Sequence, residues 1–314
     1  MTDQRSCCWV LTGPTASGKT SLSIRIAKAY HCEIICMDSM QIYRGMDIGT
    51  AKPTVEEMDG IPHHMLNIAD PRDNYSVAQY QQEAEEAAQE ILQRGHQPLF
   101  VGGTGLYLRA LRHPMAMGTV AADDALRDAL QAEADAPGGK EHLHAELAKV
   151  DPATAERLPL NDVRRVIRAL EVYKLTGIPF SQQEQTEETA RFRYRVATLT
   201  MDRAILYARI EQRVDQMLQD GLLQEIKGLL DAGVPRDAQA MKAIGYKELI
   251  PVLMQEQTLE EAVPLLKQNT RHYAKRQLTW MRREEDVCWV DSLQADAYGR
   301  LTNWYTQGAE DHDN

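Results

Sequence analysis

The chain has 314 residues, 43% of them hydrophobic, enough to bury a substantial core in one large or two ordinary domains. Its formal charge of −11, from 35 basic and 46 acidic side chains, excludes a protein that simply coats nucleic acid or an anionic membrane, so a polyanionic partner must be met by local basic clusters. No run of about 18 apolar residues occurs and the N-terminus has no charged-then-apolar layout, so the expectation is a cytoplasmic chain with no membrane attachment. The five cysteines show no C-x-x-C spacing and read as small apolar residues, with neither zinc nor a disulfide expected.

Residues Gly13-Pro14-Thr15-Ala16-Ser17-Gly18-Lys19-Thr20 match the P-loop pattern of Gly, four free positions and Gly-Lys-Thr. An apolar run, Cys7 to Leu11, precedes them, and a helix-periodic run with Leu22, Ile26 and Ala29 follows. Strand, glycine loop and helix is the context in which such a loop wraps a diphosphate, because its N–H groups and the helix N-terminus point at the same spot. Lys19 adds a point charge and Thr20 offers a hydroxyl to a magnesium ion. A second strand, Glu33 to Met37, ends in Asp38-Ser39-Met40-Gln41, which places the Asp38 carboxylate where ligands bind on an open parallel sheet. The glycine-punctuated stretch 45–53 reads as a lid, with Thr50 and Lys52 near phosphate. His63 and His64, adjacent on an extended segment, point to opposite faces and read as structural or substrate-positioning groups.

A helix from Ser76 to Arg94 leads to a third strand, Pro98 to Val101, which ends in Gly102-Gly103-Thr104-Gly105. Many P-loop ATPases place a magnesium-binding acid there. Its absence weakens the ATPase reading and suggests a substrate approaching the backbone, with the Thr104 hydroxyl within reach. Between 112 and 190 strand signals vanish and helical patterns run over Asp123–Ala134, Lys140–Val150 and Asn161–Thr176, an all-helical insertion. Arg164, Arg165 and Arg168 in the last of these suit phosphates.

The α/β pattern resumes with an alternating strand, Arg191 to Leu199. Asp202 then caps a helix in which Leu206, Ile210, Val214 and Leu218 face the core, and Arg209 and Arg213 lie on the adjacent face. Lys242-Ala243-Ile244-Gly245-Tyr246-Lys247 is a turn with two bases and an aromatic ring, suited to an RNA backbone with one stacked base. The final long helix, Leu259 to Arg283, puts Val263, Leu266, Tyr273 and Trp280 on a core-facing stripe. From Lys267 onward it carries Lys267, Arg271, Lys275, Arg276, Arg282 and Arg283 without an acid. A last strand, Val287 to Val290, precedes an acidic tail. The resulting layout is a P-loop α/β core over 1–111 and 191–300, an insertion over 112–190 and a tail over 301–314.

Taken together, residues 13–20, Asp-Ser-Met-Gln-Ile-Tyr (38–43), Asp-Ile-Gly-Thr-Ala-Lys-Pro (47–53), Pro-His-His (62–64), Gly-Gly-Thr-Gly-Leu-Tyr (102–107), Arg-Ala-Leu-Glu-Val (168–172) and Ala-Ile-Gly-Tyr-Lys-Glu (243–248) closely resemble the tRNA dimethylallyltransferases. The resemblance runs in order over nearly the whole chain and weakens at 112–122, 134–142 and 159–163. It implies a P-loop NTPase-like parallel sheet flanked by helices, and transfer of a dimethylallyl group from its diphosphate to the exocyclic amine of the adenine following the anticodon. It implies Asp38 as base, and Lys19, Thr20 with Mg²⁺, Arg213 and Thr104 around the reacting groups. It also sets Asp38 to Gln41, Thr104, Arg127, Arg164, Arg165, Val166, Ile167, Arg168, Lys242 to Lys247, Lys275 and Arg276 against the tRNA. A monomer is expected. Two other classes fit the loop: a small-molecule kinase, with ATP in the P-loop and Asp38 activating a hydroxyl, and a nucleotide-gated RNA-binding module without chemistry.

Overall fold

A computed structural model describes residues 5–113, 123–183 and 190–307. The strands, all parallel, are β1 (Cys7–Thr12), β2 (Cys32–Cys36), β3 (His63–His64), β4 (Gln97–Gly102), β5 (Arg193–Thr200) and β6 (Val287–Asp291), in the sheet order β3-β2-β4-β1-β5-β6. The apolar runs of β1, β2 and β4 are buried on both faces, as helix-covered parallel sheets require, whereas the edge strands β3 and β6 are largely half-buried. The register sets Thr12 beside Gly102 on one side and Thr198 on the other. The chain goes from β1 to β2 on one side, and β5 and β6 lie on the other. That reversal opens a crevice at the carboxyl ends of the central strands.

Two compact units divide the chain, Met1–Arg112 with Arg191–Asn314, and His113–Ala190. In the first, Val10, Ile35, Phe100 and Val196 are fully buried in one cluster with residues of the helices Val77–Gln93, Arg203–Gln219 and Leu259–Met281, and Leu11, Ile34 and Leu99 in another with the helix Lys19–Tyr30. Ser76 caps its helix with a reciprocal pair to Gln79, and Thr258 does the same with Glu261. The second unit packs the helices Asp124–Asp135, Gly139–Val150, Pro152–Arg157 and Val163–Thr176 around Leu130, Leu143, Leu147 and Leu170.

Two expectations are corrected here. Residues 301–306 are not tail: they complete a helix, Ala297–Thr306, whose Tyr305 stacks on Trp9 at 4.9 Å and donates to Val10 O at 2.7 Å. The acidic stretch Glu310–Asn314 lies outside the described residues. On the last long helix only Leu266 of the expected stripe is buried. Ala262, Ala274, Gln277 and Met281 are the other inward positions, while Val263, Tyr273 and Trp280 stay partly exposed. Among the described residues no helix is long and apolar enough to cross a membrane.

Candidate active site

The loop after β1 turns on two glycines. Gly13 (φ +145°) would bring a Cβ to 2.9 Å from Leu199 O, and Gly18 (φ +88°) opens the helix Lys19–Tyr30 without a side-chain cap. The N-terminal N–H groups of that helix are left for an anion. Ser17 Oγ, buried in the loop, has no hydrogen-bond partner, an orphan that a phosphate oxygen would satisfy. Lys19 Nζ donates to Gly13 O at 3.0 Å and Pro14 O at 2.8 Å. Burial, and after it the positive charge of Arg213, lower its pKa to about 8, with Asp38 opposing both. Lys19 and Arg213 therefore feel each other, and a polyanion between them relieves the repulsion.

Thr15 to Thr20 line a cavity of about 830 Å³, and the same cavity receives Asp38 to Gln41, Arg213, Arg276 and the 242–247 turn. Asp38, at the carboxyl end of β2, accepts from Met40 N–H at 2.9 Å. Burial raises its pKa, chiefly against that hydrogen bond and the Lys19 charge, so the carboxylate is more basic than an ordinary aspartate. An apolar lobe is built from Leu66, Ile210, Val214, Met217, Leu222 and Ile244. Met217 lies one helical turn beyond Arg213.

Several expected contacts take other forms. Thr104 is not among the cavity's lining residues; its hydroxyl accepts from Ser39 N–H at 3.0 Å and so fixes the turn that carries Asp38. Gly102 lines the cavity, and both glycines are also needed for packing: a Cβ on Gly102 would lie 2.0 Å from Met37 O, and one on Gly103 2.1 Å from Gln277 Nε2. Lys52 is buried and donates to Tyr43 O, Asp47 Oδ1 and Asn67 Oδ1 at 2.6–2.7 Å, so all three of its protons hold the 45–53 loop. Gln41 spends its amide N–H groups on Thr50 O and Ala51 O. Arg209 does not line the cavity.

The turn 242–247 is divided. Lys242 and Lys247 are exposed at the cavity, and Ala243, Ile244 and Gly245 line it, but Tyr246 is fully buried and cannot stack on a base. Its hydroxyl donates to Glu225 at 2.5 Å. Glu225 in turn accepts from the N–H groups of Asp47, Ile48 and Gly49 at 2.7–3.1 Å, a clasp that local sequence did not signal. In the helical unit the side chains of Val166 and Ile167 are buried in the core. Arg127 and Arg168 both grip the fully buried Glu171, at 2.8 and 2.6 Å, and Arg165 pairs with Asp162 at 3.3 Å. Arg164 is exposed. On the basic helix Lys267 and Arg271 are paired with Asp215 and Glu211, which leaves Lys275, Arg276 and Arg283, with His272 and Trp280, around a shallow surface recess. His64 lies 2.6 Å from Glu33, which also holds Arg94 and His96, whereas His63 reaches the cavity.

The sequence profile described as IPP transferase matches residues 41–284. A tRNA dimethylallyltransferase of Bacillus mycoides is 50% identical over 302 residues, 96% of this chain and 95% of that one. The solved full-length tRNA isopentenylpyrophosphate transferase from Bacillus halodurans superposes with a TM-score of 0.70 at 44% identity, covering 98% of this chain and 100% of that one. A eukaryotic dimethylallyltransferase solved acting on tRNA gives a TM-score of 0.79 at 31% identity, over 98% of this chain and 77% of that one.

Proposed function

This chain belongs to the IPP transferase family, the tRNA dimethylallyltransferases, and we propose that it transfers the dimethylallyl group of dimethylallyl diphosphate to the exocyclic N6 amine of the adenosine 3′-adjacent to the anticodon. The observation that carries this reading is one cavity holding both a diphosphate cradle and a basic aspartate. The adenine nitrogen attacks the allylic carbon, the C–N bond forms as the C–O bond to diphosphate breaks, and Asp38 takes the proton that the nitrogen sheds. A positioned base of this kind contributes about 10²–10⁴-fold. The departing diphosphate settles on the loop N–H groups, Ser17, Lys19 and Arg213. Preorganised donors aimed at a developing charge are each worth on the order of 3 kcal/mol, about a hundredfold in rate.

The donor set suits Mg²⁺. Thr20 brings one neutral hydroxyl to the cavity and the diphosphate brings further hard oxygens, the ligands magnesium prefers. The ion would neutralise charge on the leaving group. The target base reaches the cavity flipped out of its loop, since an amine inside a stack is inaccessible. Lys242, Lys247, Lys275 and Arg276 are the exposed cations of this unit that we assign to the RNA backbone. We assign the chain to the cytoplasm as a monomer. A P-loop kinase is not favoured, because relatives of half identity over nearly the whole chain are tRNA dimethylallyltransferases.

Mass analysis of nucleosides from tRNA incubated with the protein and dimethylallyl diphosphate tests the reading, with prenylated adenosine as the expected product. Asp38→Asn should bind tRNA within about twofold of wild type and lose at least about a hundredfold in single-turnover rate. Consumption of ATP with the prenyl donor untouched would overturn the assignment.

A further inference from the structure

Gln277 is a polar side chain in the buried stripe of the helix Leu259–Met281, only 5% exposed. Its Oε1 accepts from Thr15 N–H at 2.9 Å and its Nε2 donates to Gly103 O at 3.1 Å. A backbone N–H can only donate and a carbonyl can only accept, so the two partners dictate which way the amide lies. The bridge joins the P-loop to the turn at the end of β4. From that turn Thr104 holds Ser39 N–H, next to Asp38. The contacts form one chain, Thr15 to Gln277 to Gly103 and Thr104 to Ser39, linking the two halves of the site. Packing leaves it no slack, since a Cβ on Gly103 would lie 2.1 Å from Gln277 Nε2 and 3.1 Å from Gly13 O.

We propose that Gln277 is a positioning residue that sets the distance between the diphosphate cradle and Asp38, and hence between the leaving group and the base. This rests on the prenyl-transfer reading above. In such a reaction the nitrogen, the allylic carbon and the leaving oxygen must align, and a misplacement of about 1 Å costs roughly a hundredfold. No other common side chain of this length offers one acceptor and one donor in a plane. Methionine offers neither, and an ionised glutamate turns an oxygen toward Gly103 O. A protonated glutamate restores both bonds.

Gln277→Met and Gln277→Glu in the full chain test this, with single-turnover prenyl transfer measured beside equilibrium binding of inorganic pyrophosphate and of tRNA. The Met variant should lose about 10–100-fold in rate while both dissociation constants stay within about threefold. The Glu variant should be similarly slow at pH 8 and recover most of the deficit relative to wild type at pH 6, as its buried carboxyl takes a proton. Rates within twofold of wild type in both variants would overturn the proposal. So would a Glu variant whose deficit is unchanged between pH 8 and pH 6, whatever the stability of the Met variant, or a loss of rate matched by an equal loss of pyrophosphate affinity, which would make Gln277 merely part of the cradle. Absence of prenyl transfer by the wild-type protein is a separate result and would instead remove the reading on which the proposal rests.

Discussion

Raising the pH should disarm the cradle before it harms the base. Lys19 loses its proton at about 8 in the free protein, because burial and the nearby Arg213 disfavour its charge. About nine tenths of the molecules carry that charge at pH 7 and about one tenth at pH 9, so kcat/KM for dimethylallyl diphosphate should fall about tenfold per pH unit above 8. Arg213 keeps its charge over this range. kcat should fall less, because bound diphosphate restores the proton to Lys19. The shift from 10.5 to about 8 corresponds to about 3 kcal/mol of unfavourable charging in the anion-free protein. Since the folded pKa is the lower one, the unfolded chain binds this proton more tightly, and the Lys19 contribution to stability rises between about pH 8 and 10.5. Steady-state kinetics from pH 6.5 to 9.5 on wild type and Lys19→Arg provide the measurement. A wild-type kcat/KM flat to pH 9.5, or an identical alkaline limb in the arginine variant, would refute the reasoning.

Three further outcomes are expected. Glu225→Ala orphans the N–H groups of Asp47, Ile48 and Gly49 and the Tyr246 hydroxyl; urea unfolding should show a loss of about 2–4 kcal/mol, and a loss under 0.5 would deny the clasp. Glu33 is held down to about 2 by its hydrogen bond to Arg94, with His64 and His96 adding to it against burial. Its folded pKa is depressed, so its contribution of about 3 kcal/mol is present above pH 4.5 and lost as pH falls toward 2; acid unfolding of Glu33→Gln should lack that component. Met217→Ala enlarges the apolar lobe one turn from Arg213, and competition between geranyl and dimethylallyl diphosphate should move at least about tenfold toward the longer chain, by the one to three kcal/mol that a pocket methylene commands. An unmoved ratio would place the tail elsewhere.

What the sequence displayed was local. The P-loop, the apolar strands and the Ser76 cap are written within a few neighbouring residues, and the structure contains each of them. The misses depend on partners far along the chain. Tyr246 looked like a stacking ring on a turn, but Glu225 and the 47–49 backbone, 21 and about 200 residues away, bury it. Arg168 reads in sequence as one of three phosphate-suited arginines, but Glu171, fully buried, binds it together with Arg127. Apolar periodicity chose Tyr273 and Trp280 for the inward stripe by size. The cavity claims one face of Tyr273, and the inward place goes to Gln277. A glutamine spaced three from Ala274 and four from Met281 was the available signal for a buried polar contact.

The end of β4 accords with the proposal that this P-loop serves a leaving group. Phosphoryl-transfer enzymes of the class hold magnesium with an acid on a strand near the loop. Here the corresponding strand ends in Gly102, where even a Cβ would lie 2.0 Å from Met37 O, so a carboxylate there would force β2 and β4 apart. The acid stands instead at the end of β2, as Asp38, in surroundings that raise its pKa. That shift makes it a stronger proton acceptor than an ordinary aspartate. In the proposed reaction, anion binding at the end of β1 and proton acceptance at the end of β2 are separated by the width of β4. Displacing a diphosphate with an amine requires that arrangement, because the incoming and departing groups lie on opposite sides of the carbon between them.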